Sequence, residues 1–433
     1  MNRSKLRLPL IILWGVIVIT LALLAVAPAD LVSAGHVTGV VADNLDHPRG
    51  MTFAPDGTLY IAESGRGGDG SDGRCIPGPG GGSFCYGATG AVTAVYSDGM
   101  QVRIVDDMAS LATAPPTVTE AVGPQDVVVD ANGDLYVIVG LGADPAVRDP
   151  NGPLGADGMN LGQLAMITEP TDEASGYGWM NVVDVAAHEA SDPDGNGVDS
   201  NPYGLLALDD GFAVTDAGGN TLLHVDPMAN AIITLSIFPT RTVEFPPGSG
   251  NMIPMQAVPT GLTGYDTSSV LVGQLTGFPF PLGGANVYSA TTTAPGDPQI
   301  AKTGFTNILD VAMGADGSIY VLEMATNSLL SGDPTGAVKR VRPDGTITTL
   351  TTGLFLPTGM TIGPDGMLYV ANNGIIVGNG QVVQIDPTVP TDVNLSGFGG
   401  ETAGVTPMVY LLLGLVLLAP FAVLWLNRRQ QQS

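Results

Sequence analysis

Short apolar runs alternate with Asp-Gly or Asn-Gly pairs along most of this chain, and nearly the same phrase is written six times. The clearest copies are PRGMTFAPDGTLYIAE (48–63), PQDVVVDANGDLYVIV (124–139) and PTGMTIGPDGMLYVAN (357–372). NILDVAMGADGSIYVLE (307–323) keeps the pattern without its leading Pro, while NPYGLLALDDGFAVTDAGGN (201–220) and VPTGLTGYDTSSVLVGQ (258–274) are looser copies. Each predicts a hairpin of two apolar strands joined by a tight turn, whose Gly or Asn supplies the positive φ that other residues resist. Recurrence at roughly 50 to 80 residues, with no helical period between, points to sheets repeated about an axis.

The sequence beyond each hairpin fits a unit of four strands. GAVTAVYSDGMQVRIV (90–105) and GAVKRVRPDGTITTL (336–350) each add two alternating strands joined by Asp-Gly. The last unit supplies only three, MTIG, MLYVAN and QVVQIDP. The missing fourth is expected at the other end, where HVTGVVADNLDHP (36–48) aligns with TITTLTTGLFLP (346–357), the outer strand before the last repeat. A strand from the N-terminus completing the C-terminal sheet leaves no open edge. The expectation is an all-β, six-bladed, NHL-like β-propeller over 36–388, closed by its N-terminal strand.

The pattern changes at both ends. Arg3, Lys5 and Arg7 precede the apolar stretch 8–27, and Val32-Ser33-Ala34 offers a cleavage site, so 1–34 reads as a signal peptide or an uncleaved signal anchor. A linker (389–407) leads to MVYLLLGLVLLAPFAVLWL (408–426), which is long enough for a transmembrane helix and is followed by the basic tail 427–433. The flanking charges place both tails in the cytoplasm and the ring outside. The expected location is the cell membrane, single-pass, or two-pass if the first segment is kept.

Charge narrows the class of partner. Thirty-nine of the forty-one acids but ten of the fifteen Lys and Arg fall in residues 36–400, a formal charge of about −29. Such a surface repels nucleic acid and anionic lipid and favours cations or basic partners. Many of these Asp residues stand at turn positions, where they cap local amides, so part of the acidity follows from the number of hairpins.

Candidate chemistry is sparse. Cys75 and Cys85, inside a Gly-rich insertion (65–87), suggest one disulfide in an extracytoplasmic domain. A long excursion (141–201) contains VVDVAAHEAS (182–191), which reads as a short helix, and then Asp192, Asp194 and Asn196 in a D-x-D-x-N-G run ending at Gly197. That is the opening of a calcium loop, but Tyr203 stands where the bidentate acid belongs; Asp199 is the substitute ligand, and an ion-free Asx-turn loop fits equally well. At the mouth of a central channel, the hairpin ends supply Glu63, Asp216, Gln274, Glu323 and Asn372, and the starts supply Arg49, Asp126, Asn201 and Asp310. Converging carboxylates and amides suit a calcium ion that polarises a carbonyl or water, as in lactonase-like propellers of this blade number. They suit mutual hydrogen bonding equally. No G-x-S-x-G, H-E-x-x-H or phosphate loop occurs. Of the four histidines, His36, His47, His188 and His224, the two on or next to the closing strand, His36 and His47, read as structural, and His188, beside Glu189, is the first to test if activity is found. LTGFPFPLGG (275–284) puts two Phe on a Pro-stiffened loop, a packed plug or a ligand-facing lip.

Several phrases resemble the ScyD/ScyE family of secreted proteins, named after two members of the cyanobacterial scytonemin cluster. They are GRGG with CYGATGAV (85–92), GPQDVVVD (123–130), GLGADPAVR (140–148), VDSNPYGLLAL (198–208), TDAGGN (215–220), GQLTGFPFPLGGANVY (273–288) and TGFTNILDVAMGADGSIYVLE (303–323). The resemblance spans about 36–387 and implies a six-bladed propeller with a part in exported pigment biosynthesis; the C-terminal membrane segment departs from a simple secreted form. Two functions follow as expectations. One is a membrane-tethered binding or scaffold module for an exported small molecule or an extracellular protein. The other is a calcium-assisted, lactonase-like hydrolase or lyase. Chelator sensitivity of turnover separates them.

Overall fold

The computed structural model describes residues 37–78, 82–115, 120–170 and 176–388. The apolar segments 8–27 and 408–426, the linker and the basic tail lie outside them. Among the described residues no helix is long and apolar enough to cross a membrane.

Six antiparallel sheets form the ring. Blades 1 to 5 span 48–113, 124–184, 202–237, 259–305 and 308–355. Blade 6 takes three strands from 359–385 and its outermost strand, Val37–Leu45, from the other end of the chain. That strand pairs antiparallel with Gly380–Ile385, Val40 opposite Val383 and Leu45 opposite Gly380. The six-bladed ring and its closure are therefore as the repeats predict. An extra two-stranded hairpin, Arg241–Glu244 with Met252–Met255, stands between blades 3 and 4.

The turn chemistry is visible residue by residue. Gly57, Gly133, Gly317 and Gly366 take φ between 78° and 93°, the left-handed conformation that a Cβ opposes. The preceding Asp accepts the amide two residues on, at 2.8–3.0 Å for Asp56, Asp130, Asp316 and Asp365. These carboxylates are spent on local turns.

The core is six separate seams rather than one centre. Val92 and Val137 meet between blades 1 and 2, Leu164 and Phe212 between 2 and 3, and Leu222 and Val272 between 3 and 4. Val287 and Val321 meet between blades 4 and 5, Leu322 and Val370 between 5 and 6, and Leu45, Ile61 and Ala371 between 6 and 1. Successive side chains such as Val321 and Leu322 serve opposite seams, since strand neighbours point to opposite faces. Both faces of a blade are buried, so its middle strands read as unbroken apolar runs.

The excursion 141–201 differs from its sequence reading. It contains blade 2's own outer strands, Gln163–Thr168 and Gly178–Asp184. What read as a helix over 182–191 ends that strand at Asp184 and then makes a single 3-10 helix, Ala186–Ser191. Strand pairing to blade 2 outweighs helix propensity there.

Candidate functional site

Alignment of the six inner strands gives a site with internal two-fold order. Their second residues are Arg49, Gln125, Tyr203, Thr260, Leu309 and Thr358; their third residues are Gly50, Asp126, Gly204, Gly261, Asp310 and Gly359. Gly-Asp-Gly thus occurs twice, half a ring apart. Each Asp reaches both neighbouring blades. Asp126 accepts the amide of Leu205 in blade 3 at 2.9 Å, and Asp310 accepts that of Met360 in blade 6 at 2.7 Å. Their other oxygens take the amides of Val127 and Val311, each at 2.8 Å. On the opposite side, a Cβ at Gly50 would sit 1.9 Å from Asp126 Oδ1, and one at Gly261 2.0 Å from Asp310 Oδ1. Only glycine admits the carboxylate there.

Charge at the axis is held under unusual conditions. Burial, and secondly the charge of Asp310, pushes Asp126 well above the ordinary carboxylate range. Burial pushes Asp310 up to about 7, against the pull of its two backbone hydrogen bonds. The Arg49 guanidinium donates to Gln125 Oε1 at 3.2 Å and to the carbonyls of Pro48, Ala121 and Gly374 at 3.2, 3.0 and 2.7 Å. It ties blades 6, 1 and 2 together. Tyr203 reaches from blade 3 to the carbonyl of Thr358, half a ring away, at 3.3 Å. Burial raises its phenol, Arg49 opposes that, and Asp310 and Asp126 add to it. Tyr203 was not among the expected channel residues; its place in the second column of the repeat is the signal that marks it.

The residues at the hairpin ends hydrogen-bond mainly to the chain that enters their own blade. Glu63, Asp216, Gln274, Glu323 and Asn372 are at most 1% exposed, and Gln274 Nε2 and Glu323 Oε2 have no hydrogen-bond partner among the described residues. Glu63 accepts the amide of Asp46 and Glu323 that of Thr306, each two residues before its inner strand, and Asn372 accepts that of Phe355, four residues before. Asp216 takes the amides of Asn201, Gly218 and Gly219. Three of the five also have a cation of their own: Glu63 with Arg103, Gln274 with Arg241 and Glu323 with Lys339. These side chains latch the incoming chain to the blade. Asn201 accepts the amide of Leu141 at 3.2 Å and so joins blade 3 to the loop after blade 2's hairpin.

Strand order puts the longest described insertions on one face of the ring. Connections inside the inner and outer hairpins lie on one face; those from second to third strand, and from blade to blade, lie on the other. The second face carries 64–78, where Cys75 forms the disulfide with Cys85 across paired strands. It also carries 140–162, 185–201, the 241–255 hairpin and 275–284. In the Pro-stiffened loop, Phe278 meets Phe245 of the hairpin edge-on at 4.8 Å and Phe280 at 6.5 Å. Leu282 and Met252 beside them are exposed.

The expected calcium loop lies on this same face, with a changed membership. Carboxylate oxygens of Glu189, Asp192 and Asp194 fall within 4.8 Å of one another, a cluster able to hold an ion. Asp199 is not in it: its side chain is exposed and its backbone amide donates to Glu189. Asn196 turns its amide nitrogen to Asp194 at 2.7 Å. Burial first, then Asp216, Asp194 and Asp192, push Glu189 up to about 8. Glu189 was missed as a ligand because it precedes the D-x-D-x-N-G run and sits on another element.

His188 and His224 lie outside the axial residues, while His47 is two residues from Arg49. His188 meets Thr234 Oγ1 at 2.7 Å and lines a shallow depression of about 350 Å³ with Val183, Asp184 and Ile232. His47 is buried, donates to the Gly65 carbonyl at 2.7 Å and is lowered to about 4, chiefly by burial. His224 faces Asp210 at 3.1 Å, and His36 lies outside the described residues.

Comparison with solved structures finds chains that align with most of this one. A gluconolactonase from Xanthomonas campestris is 11% identical, with 82% of this chain and 92% of that one covered and a TM-score of 0.45. A catalytically inactive virginiamycin B lyase from Staphylococcus aureus, with quinupristin, is 13% identical over 81% and 97%, with a TM-score of 0.41. A luciferin-regenerating enzyme is 10% identical over 81% and 94%, with a TM-score of 0.44. No protein-family model and no curated protein sequence matches the chain.

Proposed function

We propose that this chain is a ScyD/ScyE-type propeller, tethered outside the cell membrane, that binds an exported small molecule or protein partner on its elaborated face. The observation that carries this reading is the division of the ring into two unlike faces. One is made of short turns whose Asp side chains are locally spent; the other gathers the disulfide loop, the hairpin lip and both insertions around blade 2. Binding residues concentrate on variable loops held by a rigid scaffold. The acidity of the ring favours a basic or uncharged partner. Arg49 argues against a catalytic cation on the axis, because a buried guanidinium repels one.

A photo-crosslinking residue at Leu282, on the lip, tests this in cell envelopes, with Met228 in a turn of the opposite face as control. Both side chains are exposed, at 68% and 95%. Adducts from Leu282 and none from Met228 are expected; the reverse pattern overturns the reading.

A second reading, a hydrolase or lyase, draws on Asp126 and Asp310. Carboxyls that keep a proton near neutrality can act as general acids. Turnover on a panel of lactones and esters, lost in Asp310→Asn, would establish it in place of the first.

A further inference from the structure

Among the described residues the ring gives a cation to Asp46, Glu63 and Glu323 and leaves the buried acids Asp126, Asp310 and Asp216 without one. Glu63 has Arg103 at 2.6 Å, Glu323 has Lys339 at 2.9 Å and Asp46 has Arg103 at 3.1 Å. Asp216 stands at the position equivalent to Glu63 and Glu323, but no Lys or Arg pairs with it among the described residues. Beside it are three more acids, Glu189, Asp192 and Asp194, equally without a basic partner. Glu189 is 2% exposed, and its Oε1 has no hydrogen-bond partner. A buried carboxylate with an unpartnered oxygen is costly, and more so beside like charges.

We propose that Glu189, Asp192 and Asp194 hold a calcium ion that fastens the blade 2–3 connection onto blade 3, a structural site independent of the partner-binding reading. Three carboxylates suit a hard cation with oxygen ligands, and calcium accepts irregular shells of six to eight. Separations within 4.8 Å fit one such shell, whose oxygens lie at most about 5 Å apart. The surroundings are built to keep the ligands in place. Gly219 leaves room for Glu189, since a Cβ there would stand 2.4 Å from Oε2. Asp192 accepts the Gly197 amide at 3.1 Å. Asp194 accepts Asn220 Nδ2 at 2.8 Å, and Asn220 Oδ1 in turn takes the amide of Val258, just before blade 4. An ion here therefore bears on three consecutive blades.

The test uses the full chain in detergent, stripped with EDTA and desalted, then titrated with CaCl2 by calorimetry and by thermal unfolding. One saturable site and a rise in Tm are expected, with a weaker response to MgCl2. At calcium a hundredfold above Kd, the folded-to-unfolded ratio should rise by about a hundredfold. Glu189→Gln should abolish the response, and Glu323→Gln, at a buried acid that already has its lysine, should keep it. Should Glu189→Gln fail to fold, Asp192→Asn on the half-buried side of the cluster serves instead, with binding weakened by about tenfold or more. Absence of saturable calcium binding in the unmodified chain, or unchanged binding in the substituted one, overturns the site.

Discussion

Asp126 and Asp310 occupy one position on inner strands half a ring apart, and each binds the backbone amide of the blade that follows it, at 2.9 and 2.7 Å. Because Gly50 and Gly261 open space on the preceding blade, each carboxylate spans three blades at once. Much of what joins the inner ring is thus carried by two acids whose ionisation is disfavoured.

Stability should therefore depend on pH. Asp310 titrates near 7 when folded, against the ordinary 3.8 when unfolded, so the native state keeps a proton that the unfolded chain has lost. That contribution is present at low pH and is lost as pH rises through about 4 to 7. Urea midpoints should fall from pH 5 to pH 8, and Asp310→Asn should flatten the slope. A slope unchanged by the substitution would refute the assignment.

Gly50→Ala should destabilise by about 1–3 kcal/mol, the usual range for forcing extra atoms into a packed site. The same change at Gly57, a turn glycine with open space where a Cβ would stand, acts through its positive φ alone and should not couple to Asp126. A double-mutant cycle of Gly50→Ala with Asp126→Ala should give an interaction energy of about 0.5–3 kcal/mol.

Arg49→Lys should be far from conservative. A lysine cannot span four acceptors in three blades as the guanidinium does, and the buried carbonyls it abandons cost about 1–3 kcal/mol each. Equilibrium unfolding with a reduced midpoint and unchanged m-value is the expected result.

The closing strand invites a direct probe. Leu45 is fully buried in the seam between blades 6 and 1, so Leu45→Ala should cost about 2–5 kcal/mol. An exposed residue of the same strand, Val40, should tolerate Ala with a change below about 0.5 kcal/mol.

Reducing the disulfide should act locally first. Cys75–Cys85 closes a loop of sequence separation 10 in an insertion rich in glycine. Double replacement by Ser should open 65–78 to limited proteolysis, and lower stability by about 2–3 kcal/mol.

The hairpins, their number and the strand that closes the ring were legible in the order of residues, because each rests on local rules. Asp-Gly turns set a positive φ, and apolar runs of strand length must find a neighbour. The disulfide was legible for a similar reason, two cysteines in one short insertion. The fate of the polar residues at the strand ends was not. Glu63 and Asp126 look alike as acids at hairpin termini, yet one latches its own blade with Arg103 and the other crosses between blades. That choice depends on which backbone amide arrives within 3 Å when the next sheet packs against it. Glu189 teaches the same lesson: only the approach of blade 3, through Gly219 and Asn220, sets it with Asp192 and Asp194 beside an acid that has no cation. Turn type and apolar spacing are properties of neighbours in the chain, whereas charge pairing is a property of neighbours in space.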